Sequence, residues 1–137
     1  MKTIDNIIIT KSDQTRIRNY FAKKEYGFEL RNNLKIVEEK LYFKPVDSKK
    51  VPPTVVTMNS KVKVKNLMLN KSFELELVYP DAVDVSNQKI SIFSPIGASM
   101  FGHSQGSEFA WVGQNGKIKF TIEKIVYQPE SAGDYHL

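Results

Sequence analysis

The stretch Ser91–Trp111, which reads SIFSPIGASMFGHSQGSEFAW, limits what this chain can fold into more than any other part of it. Ile90 and Ile92 alternate with a serine, which is the pattern of a strand with one buried face. Pro95 has no backbone N–H, so the strand is predicted to end at Ser94. A serine followed by a proline is also a typical helix start, with the serine as N-cap. The sequence therefore predicts a sharp turn from strand into helix.

The predicted helix runs over Pro95–Phe101 and carries Ile96, Met100 and Phe101 on one face. Gly102 suits the left-handed conformation that commonly ends a helix, and a further alternating strand follows it. Two interpretations stay open from these residues alone. Either the corner has only a structural role in packing the core, or its exposed part is a contact site for a partner.

The chain has 137 residues with an apolar fraction of 41%, a composition typical of one globular domain or of a small domain with an appendage. It contains no cysteine, which excludes a disulfide framework, a thiolate metal site and a cysteine nucleophile. The apolar run Ile7–Ile9 near the start is too short for a signal peptide or a membrane span, so we expect a cytoplasmic protein.

Charge is distributed unevenly along the chain. Residues 1–50 hold twelve Lys or Arg against seven Asp or Glu, and this excess accounts for the whole net charge of +5. Residues 51–137 hold eight of each kind. A basic N-terminal part is typical either of an appendage that meets an anionic partner or of a solvated helical surface, and both interpretations stay open.

Two helices are predicted in the basic part. Ser12 is placed as the N-cap of a first helix over Asp13–Lys24. A second helix is predicted over Phe28–Tyr42, because its apolar side chains form the narrow seam of a coiled coil: Leu30, Leu34, Val37 and Leu41. A short glycine-containing link should let the helices form an antiparallel hairpin, with Ile17 and Phe21 packed on the seam.

A linker with lysines and prolines, residues 46–53, separates the helical segment, residues 1–45, from a β-rich part, residues 54–137. Val62 and Val64 alternate with lysines, and the next alternating run carries glutamates, so the two predict a hairpin with Lys opposite Glu. Asn115-Gly116 predicts a second hairpin. The predicted fold is α+β, with a largely antiparallel sheet of about five strands and one short helix, preceded by the helical hairpin.

Residues that could carry catalysis are few. His103 and His136 lack an HxxxH or HExxH partner, so no metal site is predicted, and His103 is expected to be exposed. No glycine-rich loop follows a strand and opens a helix, and GASMFGHSQG lacks the spacing of a nucleophile elbow. The sequence therefore predicts no catalytic set, no metal and no cofactor.

Four motifs carry a resemblance to a known family: VPPTVVTMNSKVKVKNL at 51–67, ELELVYP at 74–80, SPIGASMFG with the following GSEF, and YQPESAGDY at 127–135. Together they resemble the GreA/GreB transcript-cleavage factors of bacterial RNA polymerase, and most of all the short Rnk branch of that family. The resemblance spans essentially the whole chain. It implies an FKBP-like fold for residues 54–137 and a shortened N-terminal coiled coil for residues 1–45.

The resemblance also implies a partner and a contact surface. In the Gre factors the Ser-Pro loop contacts a coiled coil of the RNA polymerase β′ subunit at the rim of the secondary channel. By position this polymerase-binding surface is Phe93, Ser94, Pro95 and Ile96, with Gly97 and Met100 on the helix behind. Some Gre factors have Asp where this chain has Phe93, so an exposed apolar contact is expected to replace a polar one. A monomer that binds neither membrane nor specific nucleic-acid sequences is implied.

Transcript cleavage in the Gre factors depends on two acidic residues at the coiled-coil tip, which help to hold a catalytic Mg²⁺, because a hard cation takes oxygen ligands. The corresponding tip of this chain contains Lys23, Lys24, Glu25, Tyr26 and Glu29, and the two lysines would oppose a divalent cation. In addition, a predicted helix of this chain has only about 15 residues and therefore spans only about 22 Å. Such a tip would enter the channel mouth and fall short of the catalytic centre.

We therefore predict a non-enzymatic polymerase-binding regulator that competes with Gre factors at the channel rim and affects the level of nucleoside diphosphate kinase. Two alternatives stay open. The chain could be an active transcript-cleavage factor that uses Glu25 and Glu29 at the hairpin tip, or a prolyl isomerase or chaperone of the FKBP type.

Overall fold

The computed structural model describes residues 7–23, 31–113, 116–135 and 137. The α-helices in this part of the chain are α1 (Lys11–Lys23), α2 (Arg31–Lys40) and α3 (Pro95–Met100). The strands are β1 (Lys61–Asn66), β2 (Lys71–Val78), β3 (Lys89–Ser91), β4 (Glu108–Gly113) and β5 (Gly116–Tyr127). Among the described residues, no helix is long and apolar enough to cross a membrane.

The strands form one sheet in the order β3-β2-β1-β5-β4. Neighbouring strands are antiparallel except β2 and β3, which run parallel over three residue pairs. The prediction of an α+β fold with a largely antiparallel sheet is therefore confirmed. The more specific FKBP-like assignment stays a prediction.

The hairpin of β1 and β2 has the predicted register. Lys63 lies opposite Glu74, and Lys61 lies opposite Glu76. The two valines of β1, Val62 and Val64, alternate with these lysines and are fully buried. Because side chains alternate between the faces of a strand, this register places the apolar side chains in the core and the opposite charges in solvent.

We expect the exposed charges of this hairpin to contribute little to stability. Lys61 Nζ lies 3.8 Å from Glu74 Oε1, and about half of each side chain is exposed. Lys61→Met should change the free energy of unfolding by less than about 0.5 kcal/mol, because water screens an exposed ion pair. Val62→Ala, next to it but buried, should cost about 2 kcal/mol. Urea denaturation measures both, and a loss above about 1 kcal/mol in Lys61→Met would contradict this ranking.

The second predicted hairpin is also present, since β4 pairs with β5 and Gly113 lies opposite Gly116. Gly116 has a φ of +111°, a conformation that residues with a side chain rarely adopt. Asn115 lies outside the described residues. On β5, Phe120 and Ile122 are buried, and Ile118 and Ile125 pack against the same core.

Helix α1 begins at Lys11, before the predicted start at Asp13. The expectation that Ser12 is the N-cap is wrong, because the hydroxyl of Thr10 accepts the hydrogen bond from the Asp13 N–H at 3.0 Å. Thr10 also forms a bridge to Val46, which holds it in extended conformation just before the helix. Threonine is one of the residues preferred as N-cap, so Thr10 satisfies the same capping rule as the predicted Ser12.

Helix α2 ends at Lys40, two residues before the predicted end at Tyr42, and the predicted start at Phe28 lies outside the described residues. Val37 and Leu41 of the predicted seam are buried, as is Ile17 of α1. Leu30 and Gly27 lie outside the described residues. The antiparallel hairpin of the two helices therefore stays a prediction.

The hydrophobic core contains residues from both ends of the chain. Ile9, Ile17 and Val37 belong to the same buried cluster as Val62 of β1 and Met100 of α3. The N-terminal helices therefore pack on the body that the sheet and α3 form. The division into residues 1–45, 46–53 and 54–137 stays a prediction.

Candidate functional site

The turn from β3 into α3 is built as the residues predict. Ser94 is the N-cap of α3, and Pro95 occupies the first turn of the helix. The Ser94 hydroxyl accepts a hydrogen bond from the Gly97 N–H at 3.1 Å and donates one to the Ser91 carbonyl oxygen at 2.7 Å. The two bonds join the helix start to the strand end and so fix the turn formed by residues 91–97, which we call the corner.

Four residues of this corner are partly exposed: Ser91 at the end of the strand, and Ser94, Pro95 and Ile96 at the start of the helix. Ser94, Pro95 and Ile96 are half-buried, whereas Gly97 and Met100 are buried behind them. Ser94, Pro95 and Ile96 belong to the predicted polymerase-binding residues, and we call these three the docking surface; docking itself stays a prediction. Because both hydrogen bonds of the Ser94 hydroxyl go to the corner itself, the apolar contact area of this surface comes from the Pro95 ring and the Ile96 side chain.

The expectation that Phe93 is exposed is wrong, since only 3% of it is accessible. Its ring packs edge-on against Phe21, with centroids 5.6 Å apart, and against Tyr20 at 6.5 Å, both on α1. Strand β3 ends at Ser91, so the alternation of faces no longer applies and Phe93 turns inward beneath α1. Phe93 therefore supports the corner from within.

The expectation that His103 is exposed is also wrong. Its accessible fraction is 5%, and its ring stacks on Phe109 with centroids 6.2 Å apart. Burial, followed by the charge of Lys40, lowers the pKa of His103 to about 3. The imidazole is therefore neutral at physiological pH and belongs to the core beside α3.

Lys40 is a functional candidate that no sequence motif indicates. It is 3% exposed, and its ammonium group donates to three backbone carbonyls at the end of α3. Burial lowers the pKa of Lys40 to about 7. Three carbonyl acceptors favour the ammonium form, because a neutral amine has only two N–H groups. The signal in the sequence is weak: Lys40 lies three residues after Val37 and so falls on the buried face of α2.

Asp13 is a second buried ionisable group, and the sequence indicates it only as the first residue of the predicted helix. It is 1% exposed, and its carboxylate accepts hydrogen bonds from the Met58 N–H at 3.1 Å and the Tyr79 hydroxyl at 3.2 Å. Burial raises the pKa of Asp13 to about 7, although both hydrogen bonds oppose that rise. Asp13 thus ties α1 to the sheet domain through polar contacts.

The predicted hairpin tip cannot be placed. Lys23 is the last residue of α1, and Lys24, Glu25, Tyr26 and Glu29 lie outside the described residues, as does His136. Within the described ranges no group of three or more His, Cys, Asp or Glu side chains could hold a metal ion. The alternative that Glu25 and Glu29 form a cation site therefore stays a prediction.

Comparison with known proteins identifies similar chains. A family model described as "Transcription elongation factor, GreA/GreB, C-term" matches residues 51–127, which include the corner. The regulator of nucleoside diphosphate kinase of Escherichia coli (strain K12) is 39% identical over 88 residues, 64% of this chain and 65% of that relative. The match thus spans slightly less than two thirds of that relative's length.

Two further similarities cover more of the chain. Transcription elongation factor GreA of Amoebophilus asiaticus (strain 5a2) is 32% identical over 118 residues, 85% of this chain and 75% of that relative. The solved structure of a prokaryotic transcription elongation factor GreA/GreB from Nitrosomonas europaea has a TM-score of 0.72 at 34% identity, and it covers 88% of this chain and 99% of that one.

Proposed function

The chain belongs to the GreA/GreB family of transcription elongation factors, and from that premise we propose that it is a non-enzymatic regulator that binds RNA polymerase through its docking surface. The observation that carries the proposal is the corner itself. Ser94 is fixed by two hydrogen bonds, and Pro95 and Ile96 are left half-exposed beside it. A surface that is rigid before binding loses little conformational entropy when a partner docks.

The partner site that fits this surface is a helical one. Pro95 and Ile96 present a small apolar contact area without a charged side chain, which suits the apolar stripe of a partner helix. We propose that this partner is the coiled coil of the polymerase β′ subunit at the rim of the secondary channel. A protein held there would occupy the place of the Gre factors and compete with them.

The proposed effect on nucleoside diphosphate kinase is indirect. One relative is named a regulator of that enzyme. We propose that this chain changes the level of the kinase through transcription, because its proposed contact is with a helix of RNA polymerase.

We expect Pro95→Asp to weaken binding to core RNA polymerase by at least about tenfold. Aspartate at the first position of a helix favours the helix dipole, so the change should leave α3 folded while it places a charge in the apolar contact. Pro53→Asp, at an exposed proline outside the corner, is the matched control and should bind like the wild type. Titration of labelled protein with polymerase measures all three affinities.

Two outcomes of this titration would count against the proposal. Equal affinity of Pro95→Asp and the wild type would mean that the docking surface is wrong. Absence of binding by the wild type would mean that the proposed function is wrong.

A cleavage assay separates this proposal from an active cleavage factor. With backtracked transcription complexes and Mg²⁺, we expect the chain to produce no cleavage above the polymerase's own rate. Mg²⁺-dependent cleavage that disappears in Glu25→Gln would overturn the non-enzymatic assignment.

A further inference from the structure

The C-terminal end of α3 is closed by a side chain from α2. Lys40 Nζ donates to the carbonyl oxygens of Ala98, Ser99 and Phe101 at 2.8, 2.9 and 2.7 Å. The last carbonyls of a helix have no donor within the helix itself. An ammonium group has three N–H donors, and here each one has a backbone acceptor. Lys40 therefore acts as a C-terminal cap supplied by a different helix.

The position of this cap makes it hard to replace. Lys40 is 3% exposed, so water has little access to take over the three carbonyls if the ammonium group is removed. A positive charge at the end of a helix also interacts favourably with the partial negative charge of the last carbonyls. Both effects stabilise α3, which has only six residues, in its present position.

The rest of α3 is held by the same part of the chain. The Ile8 N–H donates to the Gly102 carbonyl oxygen at 3.0 Å, just beyond the end of the helix. At the opposite end, the Phe93 ring lies against Tyr20 and Phe21 of α1. The N-terminal part of the chain therefore contacts both ends of the segment that carries the docking surface.

We propose that Lys40 is a positioning residue for polymerase docking: by capping α3 from α2, it holds Pro95 and Ile96 in the orientation that the partner helix contacts. This inference rests on the proposed function. It assigns the N-terminal helices a role in supporting the docking surface.

The chain has no cysteine, which allows a test at one position. Lys40→Cys removes the cap, and reaction of the unfolded variant with 2-bromoethylamine, followed by refolding, rebuilds a lysine analogue with its ammonium group. Lys35→Cys, at an exposed lysine on the same helix, is the matched control with and without the same treatment. Each protein is measured for residue-resolved amide exchange and for affinity to core RNA polymerase.

We expect the exchange of the Ala98 and Phe101 amides, which donate to Ser94 and Gly97 carbonyls, to accelerate at least about tenfold in Lys40→Cys. The amides of β1 and β5 should keep their wild-type rates. Polymerase affinity should fall by about tenfold, and aminoethylation should restore both quantities. Lys35→Cys should behave like the wild type throughout.

Other outcomes overturn the inference. Equal acceleration of all amides would show that Lys40 only stabilises the whole fold. Faster exchange in α3 with unchanged polymerase affinity would show that positioning of α3 does not matter for docking. If the wild type does not bind polymerase, the proposed function fails as well. If Lys40→Cys does not fold, Lys40→Gln, which keeps two N–H donors, must show the same local pattern at smaller amplitude.

Discussion

Gly97→Ala is expected to lower the free energy of unfolding by at least about 3 kcal/mol. A Cβ atom at this position would lie 2.1 Å from the Ser91 carbonyl oxygen and 3.0 Å from Leu77 Cδ1. The Ser91 oxygen is a backbone atom at the end of β3, where Ser91 pairs with Val78 of β2. It therefore cannot rotate away as a side-chain atom could. Relief of the overlap requires α3 to move away from the strand, which opens the corner.

Gly106→Ala is the matched control for this prediction. No atom lies within 4 Å of the Cβ that it would add, but its φ of +92° disfavours any side chain. It should therefore cost only about 1–2 kcal/mol of backbone strain. Urea denaturation of both variants measures the difference. A Gly97→Ala variant as stable as Gly106→Ala would contradict the close approach of α3 to β3.

Asp13 and His103 are expected to change the free energy of unfolding with pH in opposite directions, so that their two effects nearly cancel. Burial raises the pKa of Asp13 from 3.8 to about 7, so between these values the folded state holds a proton that the unfolded chain has released. Stability therefore falls as pH rises through this range. Burial lowers the pKa of His103 from 6.5 to about 3, so there the unfolded chain holds the additional proton and stability rises with pH.

Single substitutions should separate the two effects. Each group changes the free energy of unfolding by at most about 1.4 kcal/mol per pH unit. Between about pH 4.5 and 6, Asp13→Asn should become more stable relative to the wild type as pH rises, and His103→Phe should become less stable. Chemical denaturation across this range gives the difference curves, in which the other carboxylates cancel. Two flat difference curves would show that neither group has a shifted pKa in the folded protein.

Most of the corner could be predicted because short-range rules determine it. Ser94 and Pro95 form the helix start that capping preferences predict, and Gly102 has the left-handed conformation, with φ of +84°. The Lys-Glu register of β1 and β2 follows from alternation within each strand. These features depend on neighbours in the sequence or on one strand partner.

The support of the corner could not be predicted because distant segments build it. Phe93 packs against α1 and His103 stacks on Phe109 of β4, and no local pattern specifies which element covers either ring. Lys40 is satisfied by carbonyls about sixty residues away in the chain. Tertiary packing of the N-terminal helices on α3 thus decides which residues of the corner reach the surface.

Displacement of a fluorescently labelled Gre factor from core RNA polymerase tests the central claim most directly. The wild-type chain should displace the labelled factor in a concentration-dependent way, and Pro95→Asp should need at least about tenfold more protein to do so. Pro53→Asp should match the wild type. Binding of the chain without displacement of the Gre factor, or no displacement even at a large excess, would contradict docking at the shared channel rim.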